Sequence, residues 1–180
     1  MIRFGLWLCL AAQAQPSTYY VDAAQGNDSR AGTSPSSAWQ SLAKVNASAL
    51  APGDRVLLKS GSRWTGQLII RSSGSPGKPI VVSRYGNGAL PRIDGEGRVE
   101  NTLQLRNAEH VELRDLEITN LASDRSLRRG VLVELEDFGD ARGIVVSGLY
   151  VHDVNGIPSE KGNGGIILRI QSGKDRKSVV

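Results

Sequence analysis

The sequence predicts an all-β fold of the solenoid type, and three observations carry the prediction. Short apolar runs alternate with turn residues over most of the chain. A ten-residue unit recurs at an offset of 33 residues. Only one stretch keeps a helical period, while 21 glycines punctuate the rest. At 180 residues the chain is long enough for one domain with a real core.

Taken in order, residues 1–14 read as a secretory signal peptide. Arg3 gives a positive start, Phe4 to Ala12 a short apolar run, and Ala12-Gln13-Ala14 a small-x-small cleavage site. The run is too short to span a bilayer, so no membrane span is expected. The only cysteine, Cys9, lies inside this segment, so the mature chain is expected to hold no disulfide and no thiol site.

Residues 15–54 form an entry unit. Thr18 to Asp22 is a strand signal, and Gly26-Asn27-Asp28 and Gly32-Thr33-Ser34-Pro35 are turns. Trp39, Leu42, Val45 and Ala49 recur at helical spacing until Pro52-Gly53 stops them. Asp22, Asn27 and Asp28 are expected to bond their own backbone, and Trp39 and Trp64 to pack.

Residues 55–174 are expected to be strands too short to stand alone. Arg55–Lys59, Gln67–Arg71, Pro79–Arg84 and Pro91–Asp94 come first, with Leu103–Leu105, Val131–Val133 and Ile166–Leu168 further on. The unit Val111–Asn120 aligns with Ile144–Asp153, apolar on apolar, at the offset of 33. Its alternation changes phase between Leu113 and Leu116, and again between Val146 and Leu149. A flat strand keeps phase. A strand, a tight corner and a second strand, both facing one interior, does not. Stacked coils with like on like inside follow from that reading.

The ordered series Tyr19-Tyr20-Val21-Asp22, Gly26-Asn27-Asp28, Trp39, Ala51-Pro52-Gly53-Asp54, Gly77-Lys78-Pro79-Ile80, Arg84-Tyr85-Gly86 and Pro91-Arg92-Ile93-Asp94-Gly95 resembles the N-terminal region of bacterial proteins of the pectate-lyase-like superfamily. The resemblance implies a right-handed parallel β-helix with a short N-terminal capping α-helix. It also implies a secreted protein acting on or binding polysaccharide, monomeric at full length. Within that superfamily the expectation is a polysaccharide lyase on a uronic-acid polymer. A glycoside hydrolase and a non-catalytic binding or adhesive β-helix are the alternatives. Residues 175–180 keep no apolar period and read as a non-native tail on a C-terminally truncated chain, so these 180 residues alone are expected to be inactive.

The net charge of +4 comes from interspersed charges, so no nucleic-acid partner is expected. A lyase needs a cation against the uronate carboxylate, a base and a proton donor; a hydrolase needs two carboxyl groups. Candidate catalytic residues are His152 and Asp153, with His152 outward if Val151 is inward, and Lys161 and Arg129. Glu134, Glu136 and Asp137, with Asp140, form an acidic cluster whose oxygens suit Ca2+, although a solvated face also accounts for it. Arg128-Arg129 beside it would balance those charges or meet an acidic sugar.

Overall fold

The computed structural model describes residues 15–157, 159 and 161–171. The expected signal segment and the expected tail lie outside the described residues. Among the described residues thirteen strands and one short α-helix follow in order, besides a 3-10 turn at Pro35–Ser37: β1 (Thr18–Val21), α1 (Leu42–Asn46), β2 (Arg55–Lys59), β3 (Arg63–Thr65), β4 (Leu68–Ile70), β5 (Ile80–Tyr85), β6 (Arg92–Asp94), β7 (Asn101–Arg106), β8 (Val111–Arg114), β9 (Glu117–Asn120), β10 (Arg129–Glu136), β11 (Ile144–Ser147), β12 (Tyr150–Val154) and β13 (Gly164–Gln171).

The strands form three parallel sheets. The first runs β1-β2-β5-β8-β11, the second β3-β6-β9-β12 and the third β4-β7-β10-β13. Each coil visits the three sheets in turn, so four coils stack into a parallel β-helix. Tyr19, Val56, Val82, Leu113 and Val146 stand in one inward row of the first sheet. Trp64, Ile93, Ile118 and Val151 form the row of the second. Leu68, Leu103, Val131 and Ile166 form one in the third. These rows meet in a single apolar interior. Apolar side chains from all three sheets leave water there, which is the main stabilising term available to a described chain without a thiol.

The phase breaks are corners. His110 and Asp115 have φ of 51° and 53°, and Gly143 and Gly148, one repeat later, have 65° and 63°. The left-handed backbone turns the chain between sheets, and Gly or Asp tolerates it. The offset of 33 holds where β8 meets β11 and where β9 meets β12, as in Val111 beside Ile144 and Glu117 beside Tyr150. It fails in the third sheet, where Val131 stands 28 residues after Leu103 and Ile166 stands 35 after Val131. The connections before β10 and β13 differ in length and absorb the difference.

The expected helix is shorter than its apolar spacing suggested. Trp39 is a bridge partner of Val21, not a helical residue. Asp28 accepts the backbone N–H of Gln40 and of Ser41, and Ser41 then caps α1 through Lys44 N–H. Asn46 at the helix end donates to Gln67 O and accepts from Ile69 N–H, at 2.9 and 2.8 Å. One asparagine thus satisfies the bare edge of β4, and β1 covers the edge of β2. β1 therefore pairs into the first sheet although it belongs to the entry unit. Trp39 and Trp64 are buried, as expected, with indole N–H groups on Arg30 O and Gln40 O.

Candidate functional site

The coil has two outer faces that carry charged rows. On the second sheet, alternation puts Ile93, Ile118 and Val151 inside and leaves Arg92, Asp94, Glu117, Thr119, Tyr150 and His152 outside. Parallel register then sets Arg63, Arg92, Glu117 and Tyr150 side by side. A chain of contacts follows. His152 Nε2 lies 3.0 Å from Glu117 Oε1, and His152 Nδ1 lies 3.0 Å from Asp153 Oδ2. Arg92 reaches Glu117 at 3.5 Å and Asp94 at 3.2 Å. Arg63 reaches Asp94 at 2.8 Å and Glu96 at 3.2 Å. The exposed Tyr150 ring stacks on the imidazole at 4.3 Å and 27°.

His152 does point outward, and it does meet Asp153. Both ring nitrogens face carboxylates of the protein, so the imidazole is engaged on both sides. Asp94 is buried, which works against its charge. The Glu96 N–H, the Thr119 hydroxyl, Arg63 and Arg92 outweigh burial and hold its carboxyl below the ordinary range. A cavity of about 410 Å³ adjoins this row at the cap end, lined by Arg63, Thr65, Gln67, Gln40 and Ser41 among others.

On the third sheet, Arg106, Glu134 and Arg169 share a row, and Arg71 directly follows Ile70, the last residue of β4 and the register partner of Leu105. The expectation of a solvated acidic face is corrected here for Glu134, which is 4% exposed. Its Oε2 accepts from Gln104 Nε2 at 2.8 Å and its Oε1 from Arg169 Nη2. Burial opposes its charge, but the hydrogen bond and charge of Arg169, then Gln104 and Arg106, hold the carboxyl low. Glu136 is exposed and pairs with Arg106 at 3.3 Å. Asp137 stands at a corner with φ 48°, and Asp140 is exposed. Among the described residues no group of three or more His, Cys, Asp or Glu is arranged to hold a metal ion. A Ca2+ at Glu134 would have to displace Gln104 and Arg169.

Arg128 and Arg129, expected either to balance the acidic cluster or to meet an acidic sugar, are both buried stitches. Arg128 donates to the backbone oxygens of Gly97, Asp124 and Asn155 and to the Asp124 carboxylate at 2.6 Å. Arg129 donates to Gly162 O and to Asn101 Oδ1 at 2.9 Å, tying the connection before β13 to the sheet. Burial, then the nearby Arg169 charge, lowers its pKa. Lys161 is exposed on that same connection and has no ion pair among the described residues. The candidates therefore divide: His152 and Asp153 on the second sheet, Glu134 and Glu136 on the third, Arg129 and Lys161 at the corner between. Sequence reading missed Arg63, Arg92, Asp94 and Glu117. The signal was present in the outward parity of Glu117-Ile118-Thr119 and its offset to Tyr150.

No protein-family model matches the sequence. The chain is 32% identical to the lacto-N-biosidase of Bifidobacterium longum subsp. longum, over 83% of this chain and 13% of that protein. The GH136 lacto-N-biosidase of Eubacterium ramulus superposes with a TM-score of 0.80 at 30% identity, over 86% of this chain and 30% of that one. The likeness is to a glycoside hydrolase. A rhamnogalacturonan lyase superposes with a TM-score of 0.54 at 16% identity over 70% of this chain, which shows a shared fold alone. The similarity carried by sequence as well as fold favours the hydrolase alternative over the lyase expectation. The chain spans 13% of the length of the Bifidobacterium lacto-N-biosidase. Among the described residues no helix is long and apolar enough to cross a membrane.

Proposed function

We propose that these residues form the N-terminal cap and first coils of a secreted glycoside hydrolase that cleaves an oligosaccharide or glycan. The observation that carries the reading is the 0.80 TM-score, at 30% identity and over 86% of the chain, with a lacto-N-biosidase. Export is supported by the signal-peptide pattern of residues 1–14.

In this reading the two faces play a supporting part. Glycoside hydrolysis uses one carboxyl group to protonate the leaving oxygen, and that group needs a raised pKa. Asp94 and Glu134, the buried carboxyls of the two faces, are both held low by arginines and hydrogen-bond donors. Both stay ionised near neutral pH, so neither is a general acid there. The two rows instead offer fixed donors and acceptors, and Tyr150 an exposed ring, for sugar hydroxyls and apolar sugar faces. In this reading the general acid is a carboxyl other than Asp94 and Glu134.

The test is glycan cleavage by the longest polypeptide that carries these residues. It is incubated with neutral β-linked oligosaccharides containing N-acetylhexosamine and, separately, with uronic-acid polymers. New reducing ends from the neutral glycans, without an ultraviolet-absorbing unsaturated product, are expected. An unsaturated product from a uronic polymer would restore the lyase reading. Binding without either product would favour the non-catalytic alternative.

A further inference from the structure

We propose that the cleft between Arg71 and Arg106, on the outer face of the third sheet, is a subsite for an oxyanion substituent of a glycan, a carboxylate or a sulfate. The inference goes beyond the hydrolase reading and does not depend on it, because binding is read without turnover.

The argument starts from register. Ile70 and Leu105 are in-register partners that point inward, so the residues that follow them, Arg71 and Arg106, leave the coil side by side. Neighbouring strands lie about 4.8 Å apart, and like charges directly opposite each other destabilise a sheet. Opposite charge is the usual remedy, and here it is incomplete. The Glu134 oxygens already take Gln104 and Arg169, leaving Arg106 at 3.8 Å. The hydrogen bond of Arg106 goes to the exposed Glu136, at 3.3 Å. Arg71 has no carboxylate partner among the described residues.

Both arginines line an open cleft of about 330 Å³, whose third lining residue is Asn107. Asn107 has φ 46°. Its amide donates to Glu136 O at 3.0 Å and its carbonyl accepts Glu136 N–H at 2.8 Å, which fixes the rim of the cleft. Two planar forks on a rigid sheet, with one partner missing, match an oxyanion that accepts several N–H bonds at once. This cleft, and not the buried Arg128-Arg129 pair, is where basic residues meet an acidic sugar.

The experiment is titration calorimetry of the protein at low ionic strength. The probes are a glucuronate-terminated disaccharide, its sulfated counterpart and the neutral disaccharide of the same linkage. At least one anionic probe should bind more tightly than the neutral one, and which one does identifies the substituent. Arg71→Gln should weaken that binding roughly tenfold and leave the neutral probe unchanged. Arg71→Lys should restore part of the loss. Glu136→Gln should tighten binding, because it frees Arg106. Arg71 is exposed, so its variants should keep the parent circular dichroism and melt. Equal affinity for charged and neutral probes would overturn the proposal. So would an Arg71→Gln variant that binds as the parent does, or an equal loss on Arg84→Gln, which marks general charge attraction.

Discussion

The corner residues show how one side chain carries the fold. Asp115 and Gly148 occupy equivalent positions of successive coils with φ of 53° and 63°. A left-handed conformation costs a residue with a Cβ about 1–2 kcal/mol, somewhat less for Asp. Asp115→Gly should therefore be close to neutral, within about 0.5 kcal/mol by the urea midpoint, because relief of the left-handed backbone offsets the added freedom of glycine in the unfolded chain. Gly148→Ala should lower stability by about 1 kcal/mol or more, because the new methyl carbon would stand 2.3 Å from Asp115 Oδ1. A Gly148→Ala protein as stable as its parent would refute the equivalence of the corners. At this scale the sequence was half legible. The outward direction of His152 followed from Val151, since alternation is local. Arg129 and Glu134 looked free because their partners, Asn101, Gly162 and Arg169, lie far along the chain and meet them only when coils stack.

Among elements, what sequence revealed depended on how well length was conserved between coils. The β8–β9 and β11–β12 units announced themselves through one offset. β3 is three residues, Arg63–Thr65, and no period can be read from so short a strand. The third-sheet strands were visible as apolar runs, but their registers were hidden by unequal connections. Those registers make the row in which Glu134 sits between Arg106 and Arg169. A carboxyl held low in the folded state contributes stability that is fully present above its unfolded pKa, near 4.3 for Glu. That contribution is lost as the pH falls through the folded value. Asp94 on the second sheet adds in the same direction. Urea midpoints should thus stay level, as far as these groups act, from pH 7 to about 5 and fall below about 4. Glu134→Gln should be less stable than the parent at pH 7, because Arg169 loses its counter-charge. The gap should narrow as the pH drops through that acid range. A gap that is constant with pH would assign the Glu134 contribution to packing and not to charge.

At the scale of the molecule, each coil is stable because its neighbours cover it, so a coil without a neighbour is the weak point. The inward rows of the third sheet end in Ile166 and Leu168, in register with the core residues Val131 and Val133. Yet Ile166 is 52% exposed and Leu168 is 45% exposed. They line a cavity of about 330 Å³ with Val133, Ile144 and Val146. Residues that face the interior by register but water by position favour association, more so beside parallel strand edges that lack a partner among the described residues. A polypeptide of these 180 residues should therefore self-associate as its concentration rises, seen as a growing sedimentation coefficient. The double substitution Ile166→Lys, Leu168→Lys should return it to a monomer, because charge at an edge opposes both apolar contact and strand pairing. Leu121→Lys removes an apolar side chain that is 55% exposed but lies in the connection before β10, away from that cavity, and it should leave association unchanged. A wild-type polypeptide that stays monomeric across the range would mean that the last coil is covered by something other than a second copy. Equal effects of Leu121→Lys and the double substitution would mean that association follows apolar exposure anywhere on the surface, with no special part for the coil end.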